Sequence, residues 1–296
     1  MKKLTNKLKL NKDTAPYYFL LPAILLFTIF TIYPFVKTLI LSFQVREAGQ
    51  YVWTGFGNYK RLVNDAVFIK ALKNTFTILI FQVPIMTTLS LLIAVGLNSA
   101  LVKFKSIFRI SYFTPAVTGL VAYSIVFSIL LNDDFGLVNY ILNSVGLEGV
   151  AWLSSPLWAK VAMMIAITWR WTGYNMVIML SGLQGIPETL YEAAKIDGAG
   201  KFQQFFYITL PQMKPIILFS VVLSTIGTLK LFSEPYILTS GGPNNSTLTI
   251  ALYLYRTGFR YFKFGYASAI SYVLVILTAI FSYVQLKIGG EDSGGI

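Results

Sequence analysis

Residues 74–102 read NTFTILIFQVPIMTTLSLLIAVGLNSALV and contain no Asp, Glu, Lys or Arg. A helix needs about 20 mostly apolar residues to cross the hydrocarbon core of a bilayer, and this stretch is longer than that. Because the backbone must satisfy its own hydrogen bonds in lipid, a continuous apolar segment of this length is typical of a transmembrane helix. The stretch therefore predicts an integral membrane protein.

Similar apolar segments recur along the chain. Residues 14–36, 110–132 and 264–286 are also free of charged side chains. Two further apolar segments are interrupted, one by Arg170 and the other by Lys214, Lys230 and Glu234. We predict an all-α integral membrane protein with one transmembrane domain over residues 1–296. Its six predicted helical spans are 16–43, 72–98, 110–131, 159–183, 213–238 and 264–288.

The composition excludes several classes of protein. Of the 296 residues, 55% are hydrophobic and only 12% are charged, whereas about a quarter are charged in soluble domains. The chain has no Cys and no His, which excludes disulfides, thiol nucleophiles, imidazole catalysis and the usual zinc sites. The basic residues behind the net charge of +12 are scattered beside apolar runs, so we expect membrane lipid, and no nucleic acid, as a partner.

The distribution of Lys and Arg predicts the orientation, because cytoplasmic loops carry an excess of both. The short loop after the second span holds three basic residues, whereas residues 132–158, after the third, hold none. The loop after the first span weakens the pattern with four basic residues. We predict cytoplasmic N- and C-termini and an apolar first span that is not a cleaved signal. The basic residues behind this prediction are Lys2, Lys3, Lys7, Lys9 and Lys12 at the N-terminus, and Lys103, Lys105 and Arg109 after the second span.

The segment between the fourth and fifth spans, residues 184–211, is called the coupling loop below. Pro187 suits the first turn of a helix, and Gly198 favours its end. A second short helix is predicted to begin near Phe202. With the predicted orientation, this helix–turn–helix lies in the cytoplasm. From the residues alone, it either docks a protein or packs on its own bundle.

The coupling loop contains Glu-Ala-Ala, then three residues, Gly, nine residues and Ile-x-Leu-Pro. This pattern resembles the coupling motif of permeases in binding-protein-dependent ABC importers. The flanking residues 183–187, the pair Tyr33 and Pro34, and Gly241-Gly242-Pro243 resemble the carbohydrate-uptake branch, in particular the first permease of maltose-type systems. The matching motif residues are Glu192, Ala193, Ala194, Gly198, Ile208, Leu210 and Pro211, and Asp197 precedes the glycine as in the carbohydrate branch.

The resemblance implies partners and a mechanism. It implies a heterodimer with a second, homologous permease in a bacterial cell membrane, two cytosolic ATPase subunits and an extracytoplasmic solute-binding protein. This chain would bind no cofactor, and ATP and Mg would sit on the ATPases. Glu192 would contact the ATPase, Ala193 and Ala194 would form the close-packed face, and Gly198 would make the bend.

Two segments supply candidates for the substrate pathway. Sugars are held by aromatic faces together with hydrogen-bonding groups, and ionisable residues within spans usually face a cavity. Other readings stay open: Arg170 as a structural pair, Lys230 and Glu234 as an i, i+4 pair, and the Trp residues as an interfacial belt. The candidates are Trp171, Tyr174 and Asn175 on span four, and Gly227, Lys230 and Glu234 on span five, where the family resemblance indicates Gly227 and Lys230.

Other functions have weaker support in the sequence. Residues 198–201 superficially match a phosphate-binding loop, but Lys195 and Phe202 occupy the positions where Gly and Ser or Thr are needed. The chain therefore has no such ATP site and is predicted not to be an enzyme, with no catalytic residue and no metal site. A glycerol-phosphate importer of the same family and an ATPase-independent secondary transporter are the alternatives. The turn at residues 244–247, with Arg256, Arg260 and Lys263 beyond it, is expected outside, facing the binding protein.

Overall fold

The computed structural model describes residues 15–99 and 102–290. The N-terminal lysines on which the predicted orientation partly rests lie outside the described residues. We number the helices and strands in chain order. They are α1 (Ala15–Ser42), β1 (Gln44–Glu47), β2 (Gln50–Trp53), α2 (Gly57–Val63), α3 (Ala66–Asn98), α4 (Lys105–Val117), α5 (Leu120–Leu130), α6 (Leu137–Ser144), α7 (Pro156–Gln184), α8 (Glu188–Ile196), α9 (Lys201–Leu229), α10 (Ser233–Leu238), α11 (Ile250–Tyr255) and α12 (Phe264–Gly290).

Within the described residues, four helices are long and apolar enough to cross a membrane: α1, α3, α9 and α12. The bent pair α4 and α5 makes a fifth crossing if it is counted as one span. Helix α7 has 29 residues, which is sufficient length for a crossing, but it is less apolar than those four. The helices largely coincide with the predicted spans, and three local differences have physical causes.

The predicted third span, 110–131, is broken. Helices α4 and α5 meet at an angle of 97°. The break falls at Thr118 and Gly119, whose ψ angles of 140° and 132° are extended rather than helical. Two extended residues interrupt the helical hydrogen-bond ladder, so backbone carbonyls at the end of α4 need other donors.

The predicted fifth span, 213–238, is also different. Helix α9 begins at Lys201 and runs through Pro211 without a break, so the coupling loop has no separate linker before this span. The helix ends at Leu229, and α10 is a separate short helix. The break places Lys230 and Glu234 on different elements, so the helical i, i+4 spacing on which that open reading relied is absent.

A small β-hairpin corrects the all-α expectation. Strands β1 and β2 pair antiparallel, with Glu47 opposite Gln50. The two residues between them, Ala48 and Gly49, have φ angles of 47° and 86°. Two successive positive φ angles are what a two-residue hairpin turn needs, so the chain folds back directly after α1.

Helices α3 and α7 form the centre of the bundle. Leu91 and Ala94 of α3 pack against Met176 and Met179 of α7 in one buried cluster, joined by Met213 of α9. Helix α4 also packs against α7, at an unusually short distance. A Cβ atom on Gly173 would stand 1.7 Å from the Tyr112 carbonyl oxygen, so only glycine allows this approach.

The loop after α10 is fixed to the start of α3. The side chain of Asn74 donates to the carbonyl oxygens of Asn245, at 2.7 Å, and Leu248, at 3.0 Å. The Ile250 N–H donates to the Thr75 hydroxyl at 3.1 Å. These bonds hold the backbone of the loop that follows α10 against α3.

Candidate functional sites

Helix α8 of the coupling loop ends in a Schellman motif. Gly198 has a φ of +80°. Its N–H donates to the Lys195 carbonyl at 3.1 Å, and the Ala199 N–H donates to the Ala194 carbonyl at 2.8 Å. This pair of bonds terminates a helix with a left-handed residue, which glycine adopts without strain. The motif glycine therefore makes the bend that the sequence predicts.

The second half of the coupling loop is tied to the first by side chains. The Gln204 amide donates to the Ala199 carbonyl at 2.9 Å. The hydroxyls of Tyr191 on α8 and Thr209 on α9 are 2.9 Å apart and share a hydrogen bond. Thr209 is buried and Tyr191 is half-buried, so this bond is partly shielded from water. Helix α8 is consequently fixed to the same helix that continues into the bundle.

The surface of the coupling loop is apolar where it is most exposed. Ile196, Phe202 and Tyr207 are 87%, 81% and 80% exposed. Large exposed apolar side chains beyond the predicted spans are typical of a protein-docking surface. The motif residues Glu192, Ala193, Asp197, Gly198 and Pro211 are also exposed, whereas Ala194, Ile208 and Leu210 are partly buried.

A cavity of about 250 Å³ lies between α3, α7, α9 and α10. Its wall combines aromatic rings with amide, hydroxyl and charged groups. All six residues that the sequence nominates for the substrate pathway line this one cavity: Trp171, Tyr174, Asn175, Gly227, Lys230 and Glu234.

The polar groups of the cavity are organised by Asn175. Its side-chain N–H₂ donates to the Trp171 carbonyl at 3.0 Å, and its oxygen accepts hydrogen bonds from Ser220 and Ser224. Across the cavity, the Thr228 hydroxyl donates to the Gln82 side-chain oxygen at 3.3 Å. Asn175 and Gln82 are almost fully buried, so their amides are held in fixed orientations.

Arg170 lies beside the cavity and holds the broken span. Its guanidinium donates to the carbonyl oxygens of Thr118, at 2.7 Å, and Ala116, at 3.1 Å. These carbonyls lost their helical partners at the α4–α5 break. The guanidinium also stacks over the Tyr123 ring, 4.6 Å from its centroid. Arg170 therefore fills a structural role, which the sequence left open.

The Tyr123 hydroxyl in turn donates a short hydrogen bond to the carboxylate of Glu234. Both residues are buried, whereas Lys230 is exposed. Arg170, Tyr123 and Glu234 thus connect α7, α5 and α10 in one chain of contacts beside the cavity. The position of Glu234 is set by this tyrosine and not by the lysine four residues earlier.

The sequence analysis missed three residues. Gln82 and Thr228 line the cavity, and Tyr123 connects Arg170 with Glu234. Gln82 stands inside an otherwise apolar charge-free span, and a polar side chain at such a depth is a signal for a functional or packing role. Tyr123 and Thr228 carry no such signal, because Tyr and Thr are common in apolar helices.

The turn at residues 244–247, expected to face outside, is only partly accessible to a partner protein. Asn244 is exposed, but Ser246 and Thr247 are buried, with Thr247 donating to the Gly242 carbonyl at 2.9 Å. Arg256 also points into this turn, donating to the Ser240 carbonyl and to the Asn245 side chain. Arg260 and Lys263 remain exposed. A partner could therefore reach Asn244 and these two cations, but not the whole turn.

Residues 64–287 match the family model described as the binding-protein-dependent transport system inner membrane component. The match includes both the coupling loop and the cavity. In addition, residues 15–99 and 102–290 contain no group of three or more His, Cys, Asp or Glu side chains able to hold a metal ion.

Curated relatives match over nearly the whole chain. The lactose transport system permease protein LacF of Rhizobium radiobacter is 45% identical over 97% of both chains. The arabinooligosaccharides transport system permease protein AraP of Halalkalibacterium halodurans is 38% identical over 96% of this chain and 90% of its own. A bacterial alginate ABC transporter, solved in complex with an alginate pentasaccharide-bound periplasmic protein, has a chain that matches with a TM-score of 0.80 and 26% identity, covering 96% of this chain and 95% of that one.

Proposed function

The chain belongs to the family of binding-protein-dependent transport system inner membrane components, and on this basis we propose that it is the permease subunit of an ATP-driven carbohydrate importer. The relatives named for transport of lactose and arabinooligosaccharides are permeases, that is, transport components rather than enzymes. The proposed substrate is a mono-, di- or oligosaccharide delivered by an extracytoplasmic solute-binding protein.

The observation that carries the proposal is the meeting of Trp171, Tyr174, Asn175 and Glu234 at one cavity. Aromatic rings suit the C–H faces of a sugar ring, and fixed amide and carboxylate groups suit its hydroxyls. These residues come from α7 and α10, so the site exists only when the two elements are packed together. We propose that the cavity is part of the substrate pathway.

The coupling loop supports the ATP-driven part of the proposal. Helix α8 presents Glu192 and Ala193 to solvent, and the Tyr191–Thr209 bond fixes it to α9. We propose that one ATPase subunit binds this surface, and that its movement is carried through α9 toward the cavity. A conformational change can be transmitted in this way only if the element between the two sites moves as a rigid body.

The proposed assembly contains this chain, a second homologous permease, two ATPase subunits that bind ATP and Mg, and the binding protein. This chain is proposed to act as one transmembrane permease domain over residues 1–296. It would cross the membrane six times, with α4–α5 and α7 as the third and fourth crossings and both termini in the cytoplasm. This places α8 on the ATPase side.

Uptake assays test the proposal. A strain lacking this chain is complemented with it, and uptake of radiolabelled lactose, arabino-oligosaccharides, maltose and glycerol phosphate is measured. We expect uptake of a saccharide that disappears when either the ATPase or the binding protein is deleted. Uptake of glycerol phosphate alone would contradict the carbohydrate assignment, and uptake that persists without the ATPase would indicate a secondary transporter.

A further inference from the structure

Helix α6, in the loop between α5 and α7, has an unusual surface. Residues 135–147 contain no Asp, Glu, Lys or Arg, although they lie outside the predicted spans. Six large apolar side chains in this segment are between 51% and 73% exposed. They are called the α6 apolar face below and are Phe135, Leu137, Tyr140, Ile141, Val145 and Leu147.

The other side of α6 is fixed by hydrogen bonds. Asn139 is buried, and its N–H₂ donates to the carbonyl oxygens of Asp133 and Val150, both at 2.9 Å. Its side-chain oxygen accepts from the Val150 N–H at 3.0 Å and from the Trp152 indole at 2.9 Å. These four bonds use both N–H donors and both acceptor lone pairs of the amide. The helix therefore cannot roll to bury its apolar face without breaking them.

The α6 apolar face continues the apolar surface of the neighbouring spans. Helix α6 contacts α5, whose side chains Ile125 and Ile129 are exposed. At the other end of the loop, Leu157 and Trp158 at the start of α7 are exposed as well. Tyr and Trp are enriched where membrane helices meet water, because each has an apolar ring and a polar group.

We propose that α6 lies in the membrane interface, with its apolar face inserted into the adjacent leaflet. An amphipathic helix that lies in the interface plane buries its apolar side roughly 5–10 Å into the boundary between headgroups and acyl chains. In a membrane, lipid would surround the exposed apolar side chains of α5 next to α6, whereas a soluble binding protein that leaves after each delivery would return six large apolar side chains to water. We therefore infer that lipid covers the α6 apolar face.

The absence of cysteine from the chain allows a direct test. Tyr140→Cys is labelled with the environment-sensitive fluorophore NBD in the full transporter complex, reconstituted in phosphatidylcholine nanodiscs. Glu148→Cys, exposed and just beyond the apolar face, is the matched control. Quenching is measured with lipids that carry a doxyl group near the headgroup.

We expect blue-shifted emission and strong doxyl quenching at position 140, and water-like emission with little quenching at position 148. Equal, water-like emission at both positions would overturn the proposal. Blue-shifted emission at position 140 without doxyl quenching would also overturn it, since it would show that protein covers the face. A shift that occurs only after the binding protein is added would assign the face to that partner instead. None of these results depends on which solute is transported.

Discussion

The Tyr123 hydroxyl donates a hydrogen bond to the Glu234 carboxylate, although 111 residues separate them in the chain. The bond joins the second half of a broken span to the short helix that follows another span. Arg170 stacks on the same tyrosine ring while holding the carbonyls of the break. Two irregular segments are thereby fixed to each other at the edge of the cavity.

Tyr123→Phe is expected to raise the KM for sugar uptake. Removing the donor leaves a buried carboxylate oxygen without its partner, which costs about 1–3 kcal/mol. Because Glu234 lines the cavity, part of this energy is lost from substrate binding. Tyr236→Phe on the same short helix is the control, since the exposed Tyr236 stacks on Phe232 through its ring, which Phe retains. If Tyr123→Phe and Tyr236→Phe had the same KM, this would contradict a role for the Tyr123 hydroxyl.

Asn175→Ala and Lys230→Ala test the cavity as the substrate pathway. In the first variant the Ser220 and Ser224 hydroxyls lose their shared acceptor and a fixed amide is removed, so we expect KM to rise about tenfold, equivalent to about 1.4 kcal/mol. Lys230 is exposed, so a smaller rise is expected. Uptake kinetics measure both. An unchanged KM in the two variants together would count strongly against this cavity.

Gly227→Ala is expected to narrow the cavity without disturbing the helix. No atom lies within 4 Å of a Cβ placed on Gly227, and the residue lines the cavity. Gly96→Ala on α3 is the matched control, because its Cβ also meets nothing within 4 Å. Replacing a glycine inside a helix with alanine stabilises the helix by about 0.5–1 kcal/mol, and both changes make this replacement. Thermal stability should rise equally, while competition assays should show weaker uptake of longer oligosaccharides in Gly227→Ala alone.

Gly198→Asp is expected to abolish transport and weaken co-purification of the ATPase. A side chain at its φ of +80° strains the backbone by roughly 1–2 kcal/mol and adds a charge at the bend of the coupling loop. Gly49→Asp, at a φ of +86° in the hairpin turn with equally open surroundings, carries the same strain away from the loop and should transport normally. Normal transport with normal ATPase recovery in Gly198→Asp would refute the docking role.

Asp65 is expected to stabilise the fold in a pH-dependent manner. Burial raises the pKa of this carboxyl, but hydrogen bonds from Tyr253, Tyr266 and the backbone N–H groups of Phe68 and Val67 outweigh burial and hold the pKa below its ordinary value of 3.8. The stabilisation is therefore fully present above pH 3.8 and is lost as the pH falls through the folded-state pKa. The free energy of unfolding in detergent should differ between wild type and Asp65→Asn, and this difference should narrow below pH 3.8. A difference in unfolding free energy that does not change with pH would contradict this.

The sequence by itself predicted the features that depend on local pattern. Long charge-free segments such as residues 74–102 predict helices because lipid leaves the backbone no other partners. The family was evident from residues 192–211, whose fixed spacing resembles a coupling motif. The end of α8 near Gly198 was predicted for a similar local reason, since glycine is favoured where a helix ends in a turn.

The tertiary structure decided what depends on distant partners. Arg170, from another helix, stabilises the break between α4 and α5 by donating to the freed carbonyls. The residues around Thr118 do not by themselves predict the break, because its hydrogen-bond donor lies 52 residues away in the chain. Glu234 similarly accepts its hydrogen bond from Tyr123 of α5, and α9 ends at Leu229, so Lys230 and Glu234 lie on different elements instead of on one helix. The length and apolar composition of a segment determine whether it can enter the membrane, whereas side-chain hydrogen bonds between segments determine where those helices bend and which polar groups meet.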